Sequence, residues 1–417
     1  MESPLFLQRE AKLYIDFDGT SVFEVPILEG LAFSQATNVN EVNLAEASPD
    51  GTTSRRGTAR FTDSLAPAEF SFSTYVRPFK SAVVDAVGSA DRQTAQHHAV
   101  EEVLWALFAG AKNYRATTSS VDPLFYGAAE TDVVITAGGS NSVVNFNESN
   151  VLQMHTPDLY IVLGSGSSTA ANNMVYKIES AVLNEASIDF DIDGIATCNW
   201  SGFGTIITDV TGETSPSFLA ANGTVTPTVN EGIFGSNNFI QNRLSTVAIT
   251  QNTADDPNTN TLDSYTLTLT GGNITFSNNI EYVTPSTMGV VNQPLGHYTG
   301  ARSISGSLSC YLDGTTARSA DLFEDLMESS TYDAVNFFNL VVTLGGAAGS
   351  SPSMGVTIPA AHLEIPTHNV EEVIGMEVNF HALPHSGSAG TLGQSITAAN
   401  EATLTFIGPV PDNNIGV

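Results

Sequence analysis

Basic residues are scarce in this sequence: 14 Lys and Arg stand against 44 Asp and Glu among 417 residues, for a formal net charge of −30. A protein that grips nucleic acid by its phosphates needs clustered cations that displace counterions. The charge balance therefore argues strongly against a nucleic-acid-binding protein of that kind. Eleven of the fourteen bases precede residue 178, so the acidity is concentrated in the second part of the chain.

Cysteines and long apolar runs are also rare. Cys198 and Cys310 are too few for a disulfide framework, and neither has a Cys or His neighbour at metal-site spacing. We therefore expect both cysteines to act as small apolar residues on strands. No signal peptide is predicted at the N-terminus, and no apolar run approaches the roughly 18 residues of a membrane-spanning helix. With 41% hydrophobic residues the chain can still bury a core. We expect a soluble protein made in a cytoplasm, without membrane insertion.

Motifs of catalysis and cofactor binding are missing as well. The sequence has no G-x-S-x-G elbow, no P-loop and no G-x-G-x-x-G after a strand. The D-x-D-x-D-G string at 189–194 begins like a calcium loop, but its twelfth position is Trp200 instead of a bidentate Glu. The histidines lack metal-ligand or carboxylate partners, and we interpret His97 and His98 as solvated or capping residues on a helix. We expect no metal, no cofactor and no enzymatic activity.

The pattern that is present is that of a β-rich protein. Short apolar alternations are separated by Thr, Ser, Asn and Gly, which is typical of strands with many turns. Helical periodicity is clear in two segments, 95–111 and 319–329. The sequence predicts an α+β fold that is mainly β and built on antiparallel sheets.

The pattern occurs twice. The apolar residues of the second helix follow those of the first by 219 residues: Leu322, Phe323, Leu326 and Met327 match Val103, Leu104, Leu107 and Phe108. Strand segments match at spacings of 236, 181 and 180, as in Ser71 with Ser307, Leu159 with Leu340 and Ile178 with Ile358. The alternative is chance matching of β-rich sequence.

A duplication divides the chain into two tandem units. Each is predicted to be an antiparallel β-sandwich or partial barrel with one packed α-helix. The first unit spans residues 1–205 and carries a polar insertion near 112–155, for which we expect an exposed position. The second spans 239–417. A Thr/Gly/Pro-rich linker at 206–238 joins them.

The most regular strand pattern is acidic on one side. Read as a strand, residues 187–193 put Asp189, Asp191 and Asp193 on one face and apolar residues on the other. The matching positions of the second unit include Asn369, Glu371 and Glu377, so the polarity recurs there although the charge is partly lost. We expect one buried face and an acidic stripe that faces water.

Residues 70–79, which read FSFSTYVRPF, and the helix and hairpin that follow resemble the tail tube proteins of tailed bacteriophages. The resemblance implies rings stacked into a hollow tube of the virion tail, with a continuous inner β-barrel and helices outside. Two units in one chain imply a trimeric, pseudo-hexameric ring. Genomic DNA is expected to pass through the tube without specific binding.

The resemblance also implies partners. We expect self-association within and between rings, and contacts with other tail proteins: the baseplate or initiator complex, the terminator, the tape measure and, in a contractile tail, a sheath. Assembly is expected in the host cytoplasm. Two other classes remain open. One is another virion structural protein of the baseplate or capsid decoration, and the other is a β-rich surface binding module.

Two sets of site residues follow from the resemblance. The candidate lumen-lining residues are Asp189, Asp191, Asp193, Glu371 and Glu377, because carboxylates repel DNA phosphates. The loop at 38–57 is long for a hairpin, and in the family the corresponding loop stacks ring on ring. Its candidate stacking residues are Asn43, Glu46, Arg55, Arg56 and Arg60. A merely solvated loop is the alternative.

Overall fold

The computed structural model describes residues 6–42, 59–80, 96–115, 124–128, 132–138, 141–146, 153–164, 173–229, 238–251, 264–288, 291–332, 338–346, 351–369, 373–384 and 401–408. These residues are mainly β, with antiparallel sheets and two α-helices, as the sequence predicted. The helices are α1 (Glu102–Phe108) and α2 (Ser319–Tyr332). Neither described helix is long and apolar enough to span a bilayer.

The described residues form twenty-six strands. Up to residue 209 they are β1 (Lys12–Asp16), β2 (Val22–Val25), β3 (Ala32–Val42), β4 (Ala59–Tyr75), β5 (Pro78–Lys80), β6 (His97–Ala99), β7 (Asn113–Tyr114), β8 (Phe125–Tyr126), β9 (Val133–Ala137), β10 (Ser142–Asn145), β11 (Asp158–Leu163), β12 (Met174–Glu179), β13 (Val182–Asp191), β14 (Thr197–Gly204) and β15 (Ile206–Asp209). The later strands are β16 (Thr246–Gln251), β17 (Ser264–Leu267), β18 (Leu269–Ser277), β19 (Ile280–Val283), β20 (Gly296–Thr299), β21 (Ser303–Tyr311), β22 (Phe338–Gly345), β23 (Ser353–Leu363), β24 (Thr367–Asn369), β25 (Gly375–Ala382) and β26 (Thr403–Ile407).

The sheet that concerns function has seven neighbouring strands in the order β3-β4-β14-β13-β18-β21-β25. Its centre is the pairing of β13 with β18, in which residues 185–191 run antiparallel to 271–277. We call it the seven-strand sheet. Strand β24 adds to the outer side of β25.

Two further groups of strands cover the core. A five-stranded sheet has the order β15-β12-β11-β1-β2. A run of nine strands has the order β17-β16-β22-β23-β26-β10-β9-β8-β7. Strand β23 belongs to this run and also contacts the seven-strand sheet, because its last residues, Ala361–Leu363, pair with β25. One hydrophobic cluster includes buried residues from both halves of the chain.

The strand orders of the two halves are alike. In the first half β2-β1-β11-β12 are neighbours, with Leu159 opposite Ile178. In the second half β17-β16-β22-β23 are neighbours, with Leu340 opposite Ile358. These are the pairs that spacings of 181 and 180 relate. The division into two units stays a prediction, and the β13–β18 pairing joins the two halves within one sheet.

The first helix is shorter than its sequence pattern. Helix α1 begins at Glu102, whereas His97 and His98 lie on strand β6, opposite β5, and both are buried. Interpreting them as helical, solvated histidines was therefore wrong. The helix ends before Gly110, whose φ of 98° is the left-handed conformation that commonly follows a helix.

The insertion near 112–155 does not have the exposed position we expected. Its described parts form β7 to β10, and Phe125, Ile135, Val144 and Phe146 are buried. Short apolar alternations inside Asn/Ser-rich sequence account for this, since one face of each strand reaches the core. The segment predicted as linker is packed in its described part. Strand β15 pairs with β12, and Phe218 and Leu219 join a buried cluster on the five-stranded sheet.

Candidate functional site

The seven-strand sheet has one side that faces away from the core, which we call the polar face. Alternation along each strand sends Phe72, Trp200 and Phe276 to the core and small polar residues to the other side. The polar face consists of Glu69, Ser71 and Ser73 on β4, Asn199 and Ser201 on β14, Glu185, Ser187, Asp189 and Asp191 on β13, Asn273 and Thr275 on β18, Ser305, Ser307 and Ser309 on β21, and Glu377, Asn379 and His381 on β25.

Strand register brings distant carboxylates into line. Asp191 lies opposite Gly271, Gly271 opposite Ser309, and Ser309 opposite Glu377. Asp191 and Glu377 therefore share one row across four strands. Asp189 lies one row away, with Asn273, Ser307 and Asn379. Three of the five acidic residues selected from the sequence thus lie together on one surface.

Hydrogen bonds fix the middle of this face. Asn199 Nδ2 donates to Asp189 Oδ2 at 2.5 Å, and Ser73 Oγ donates to Asn199 Oδ1 at 2.6 Å. Ser187 Oγ donates to the other oxygen of Asp189 at 3.3 Å. Both oxygens of the Asp189 carboxylate therefore accept a hydrogen bond, from side chains on two strands.

The negative charge of the polar face is not balanced by basic residues on that face. It carries five carboxylates, those of Glu69, Glu185, Asp189, Asp191 and Glu377, and none of its residues named above is Lys or Arg. Within the described parts of the chain, none of these carboxylates forms an ion pair with a basic side chain. Glu69 and Glu185 were missed from the sequence, although the alternation Glu69-Phe70-Ser71-Phe72 places Glu69 on the same side as Ser71.

The other two acidic candidates differ. Strand β13 ends at Asp191, and the backbone N–H of Gly194 donates to the Asp191 carbonyl at 3.1 Å, which closes a turn. Asp193 therefore leaves the strand face and pairs with Arg243 at 2.5 Å, with both side chains exposed. The predicted alternation fails there because glycine at position 194 favours a turn over continued strand. Glu371 lies outside the described residues.

Of the stacking candidates, Asn43, Glu46, Arg55 and Arg56 lie outside the described residues. Arg60 lies on the long hairpin of β3 and β4, where its guanidinium pairs with Glu41 across the strands at 2.5 Å. The hairpin lies beside the loop between β19 and β20: the backbone N–H of Leu65 donates to the Asn292 carbonyl, and that of Asn292 to the Asp63 carbonyl. Arg60 thus joins a hairpin arm, and nothing in the described chain tests its contact with another ring.

The core side of the same sheet is aromatic and close-packed. Trp105 of α1 lies between Trp200 and Phe276, with ring centroids 4.8 and 5.4 Å away. On three strand pairs a phenylalanine ring covers the glycine opposite it. These pairs are Phe70 with Gly202, Phe190 with Gly272 and Phe380 with Gly306. The core side of the sheet, behind the polar face, is therefore packed so closely that these three glycines have no room for a further side-chain atom.

One buried carboxyl adjoins this core. Glu101, just before α1, is 1% exposed, and burial raises its pKa to about 7 against the opposing influence of the Arg77 guanidinium. The backbone N–H of Arg77 donates to Glu101 Oε2 at 3.4 Å, and Oε1 has no partner among the described residues. Burial also lowers the pKa of Arg77. Among the described residues, no three His, Cys, Asp or Glu side chains are arranged to hold a metal ion.

The fold and the face define a mainly-β protein with an extended acidic sheet surface. No protein-family model matches the chain. The chain is 30% identical over 378 residues to the protein named tail tube protein pb6 of Escherichia phage T5, in an alignment that covers 90% of this chain and 70% of pb6. The chain belongs to the family of phage tail tube proteins. This confirms the resemblance inferred from the sequence and identifies a structural protein of the virion tail.

Proposed function

We propose that this chain assembles into trimeric, pseudo-hexameric rings, that the rings stack into the hollow tail tube, and that genomic DNA passes through a lumen lined by the polar face. The observation that carries this proposal is the polar face itself. It runs through strands of both halves of the chain and carries five carboxylates and no Lys or Arg. A structural role of this kind needs no catalytic residue and no cofactor.

The charge of the face suits a conduit. DNA phosphates are repelled by carboxylates, and at physiological salt the repulsion acts over about 8 Å. Basic residues would instead retain the duplex through counterion release. Small hydroxyl and amide side chains fill the positions between the carboxylates, so the wall is hydrophilic and shallow. DNA would then slide along it without adsorbing.

The strand orders support the trimeric ring. Each half of the chain contributes a like set of neighbouring strands, and the β13–β18 pairing separately joins strands of the two halves within the seven-strand sheet. Three such chains supply six like sets. A baseplate or decoration protein would share this fold class, and it would differ by its low or capsid-bound copy number. The relative's name favours the tube.

Assembly is tested by negative-stain electron microscopy of the recombinant protein over a range of concentrations, with the mass measured at the lowest. We expect hollow tubes, or rings of three chains. Rings of six chains would keep the tube and contradict the pseudo-hexamer. Decoration of capsids without tubes would favour the decoration alternative.

The lumen is tested by changing Asp189, Asp191 and Glu377 together to Lys in the infecting phage, a change of +6 in charge per chain. We expect tubes of normal length and DNA delivery slowed by tenfold or more, since Lys clusters bind phosphate. The matched control makes the same charge change at Asp132, Glu213 and Glu324, which are exposed and lie off the polar face. Equal DNA-delivery rates for the two triple variants would contradict the proposed lumen.

A further inference from the structure

Strands β19 and β20 form a two-stranded hairpin that lies against the first half of the chain. Ile280 of β19 packs with Met154 and Val182 in a buried cluster. Tyr282 and His297 lie directly opposite each other in the hairpin, with ring centroids 5.6 Å apart. The two rings therefore share one side of the hairpin, on which Tyr282 packs against the buried cluster.

His297 forms a hydrogen bond that only its neutral form can make. The residue is 5% exposed, and its Nε2 accepts from the backbone N–H of Met154 at 2.9 Å. A backbone N–H can only donate, so Nε2 must be unprotonated and the ring proton must lie on Nδ1. An imidazolium carries N–H groups at both nitrogens and cannot accept. We propose that His297 is a pH switch, in which protonation of the imidazole releases β20 from the segment at 153–157.

Burial sets the pH range in which the switch acts. It lowers the pKa of His297 below the ordinary value of 6.5, because the imidazolium would lose its hydration. After release the side chain is in water and regains an ordinary pKa of about 6.5. The attached state therefore binds fewer protons than the released state. The attachment has its full strength above pH 6.5 and weakens as the pH falls from 6.5 toward the lowered pKa.

The titratable groups described on β19 and β20 do not stabilise a protonated His297. Glu281 lies opposite Tyr298 on the other side of the hairpin and accepts a hydrogen bond from the Tyr298 hydroxyl. Tyr282 stays neutral, since burial raises its pKa, and its hydroxyl donates to the Ser180 carbonyl at 2.7 Å. The hairpin itself therefore leaves a charge on His297 uncompensated.

The elements packed against the hairpin do not supply that compensation. In the segment at 153–157 the ring of His155 lies on Phe17, with ring centroids 4.5 Å apart, and its Nε2 bonds to the Phe17 carbonyl. The cause that lowers the pKa of His297 is burial, without a contribution from a neighbouring charge. Charged groups described on the adjoining strands have other partners or lie on the polar face: Asp158 and Glu179 pair with Lys177, Arg302 pairs with Glu401, and Glu185 belongs to the polar face.

The base of the hairpin is held by groups that do not titrate near neutral pH. The backbone N–H of Ile280 donates to Asn184 Oδ1 at 2.8 Å, and that of Asn278 donates to the Asn184 carbonyl at 2.8 Å. Backbone and amide groups keep these bonds in acid. Protonation of His297 therefore opens the contact between β20 and residues 153–157 and leaves the seven-strand sheet intact.

The test is hydrogen–deuterium exchange of the full-length protein at pH 7.5 and pH 5.0, measured by mass spectrometry. Each exchange rate is compared with that of an unstructured peptide at the same pH, which gives a protection factor free of the intrinsic effect of pH. We expect protection in the peptides that contain Met154 and β20 to fall about fivefold or more at pH 5.0, because the opening equilibrium shifts up to about tenfold per pH unit between the two pKa values. Unchanged protection would overturn the proposal.

His297→Gln separates the switch from other effects of acid. The glutamine side-chain oxygen can accept from the Met154 N–H and takes up no proton in this range, so protection should change by less than about twofold between the two pH values. His381→Gln, which removes an exposed histidine of β25, should keep the loss seen in the unaltered chain. The same loss in His297→Gln would show that acid acts elsewhere and would overturn the switch.

The pH profile of the unaltered chain decides if His297→Gln is already unprotected at pH 7.5. The switch requires a loss of protection with a midpoint below pH 6.5, because the folded pKa is lowered. A midpoint above pH 6.5 would contradict it. The bond lies within one chain, so the outcome is independent of the ring in the proposed function.

Discussion

The two sides of the seven-strand sheet are made by the same strands but differ in packing and in exposure to solvent. On the core side, Trp200, Phe276 and the glycines under phenylalanine rings are closely packed against α1. On the polar face, residues such as Asp191 and Glu377 are exposed and have few fixed contacts. The close packing that stabilises the fold is on one side of the sheet and the charge is on the other. Substitutions on the core side should therefore lower the free energy of unfolding, whereas substitutions on the polar face should change the charge with little effect on stability.

The largest effect is expected where a glycine on β21 lies under a ring. In Gly306→Ala the added Cβ would lie 2.7 Å from Cζ of Phe380 and closer still to the backbone carbonyl oxygen of Asn273. Overpacking of a core costs about 1–3 kcal/mol or more. We expect the free energy of unfolding to fall by about 3 kcal/mol in chemical denaturation.

Gly355→Ala is the matched control, because Gly355 is also on a strand and its Cβ would meet nothing nearer than 3.6 Å. There the alanine should be neutral or stabilise by up to about 1 kcal/mol. Equal losses at the two glycines would show that the ring contact is not what makes Gly306 sensitive.

An effect of intermediate size is expected at Glu101, at the edge of the core side. Its pKa is raised to about 7 in the folded chain, so the stability present below the unfolded pKa of about 4.5 is lost as pH rises through 7. Glu101→Gln removes this ionisation. The loss of unfolding free energy between pH 5 and pH 8 should shrink by about 2–3 kcal/mol.

The pH dependence is measured by urea denaturation at several pH values. Glu213→Gln, at an exposed carboxylate, should leave the slope unchanged. An unaltered slope in Glu101→Gln would mean that the carboxyl is not held protonated by its burial.

The smallest effect is expected on the polar face. Glu377→Gln removes a charge from an exposed side chain, and such substitutions usually change stability by no more than about 0.5 kcal/mol. We expect an unchanged melting temperature and unchanged ring formation by electron microscopy. A loss as large as that of Gly306→Ala would erase the difference between the two sides.

Local pattern was a good guide to parts of this fold. The stripe that includes Val103, Leu104 and Leu107 predicted α1, and alternation predicted the side on which Asp189 and Asp191 lie. The local pattern failed where pairing with another strand determined the structure. His97 and His98 form a strand because β5 is available to pair with them, and Phe125, Ile135 and Val144 are buried because their strands join β26 through β10.

The sequence by itself determined the acidic charge, the mainly antiparallel β fold, the family and which residues alternate along a strand. These follow from composition and from a period of two, which are local properties. Only the tertiary structure decided that β13 lies beside β18 and that Asp191 and Glu377, 186 positions apart (377 − 191), share one row. Register between distant strands depends on which buried faces meet, and no local pattern specifies that partner.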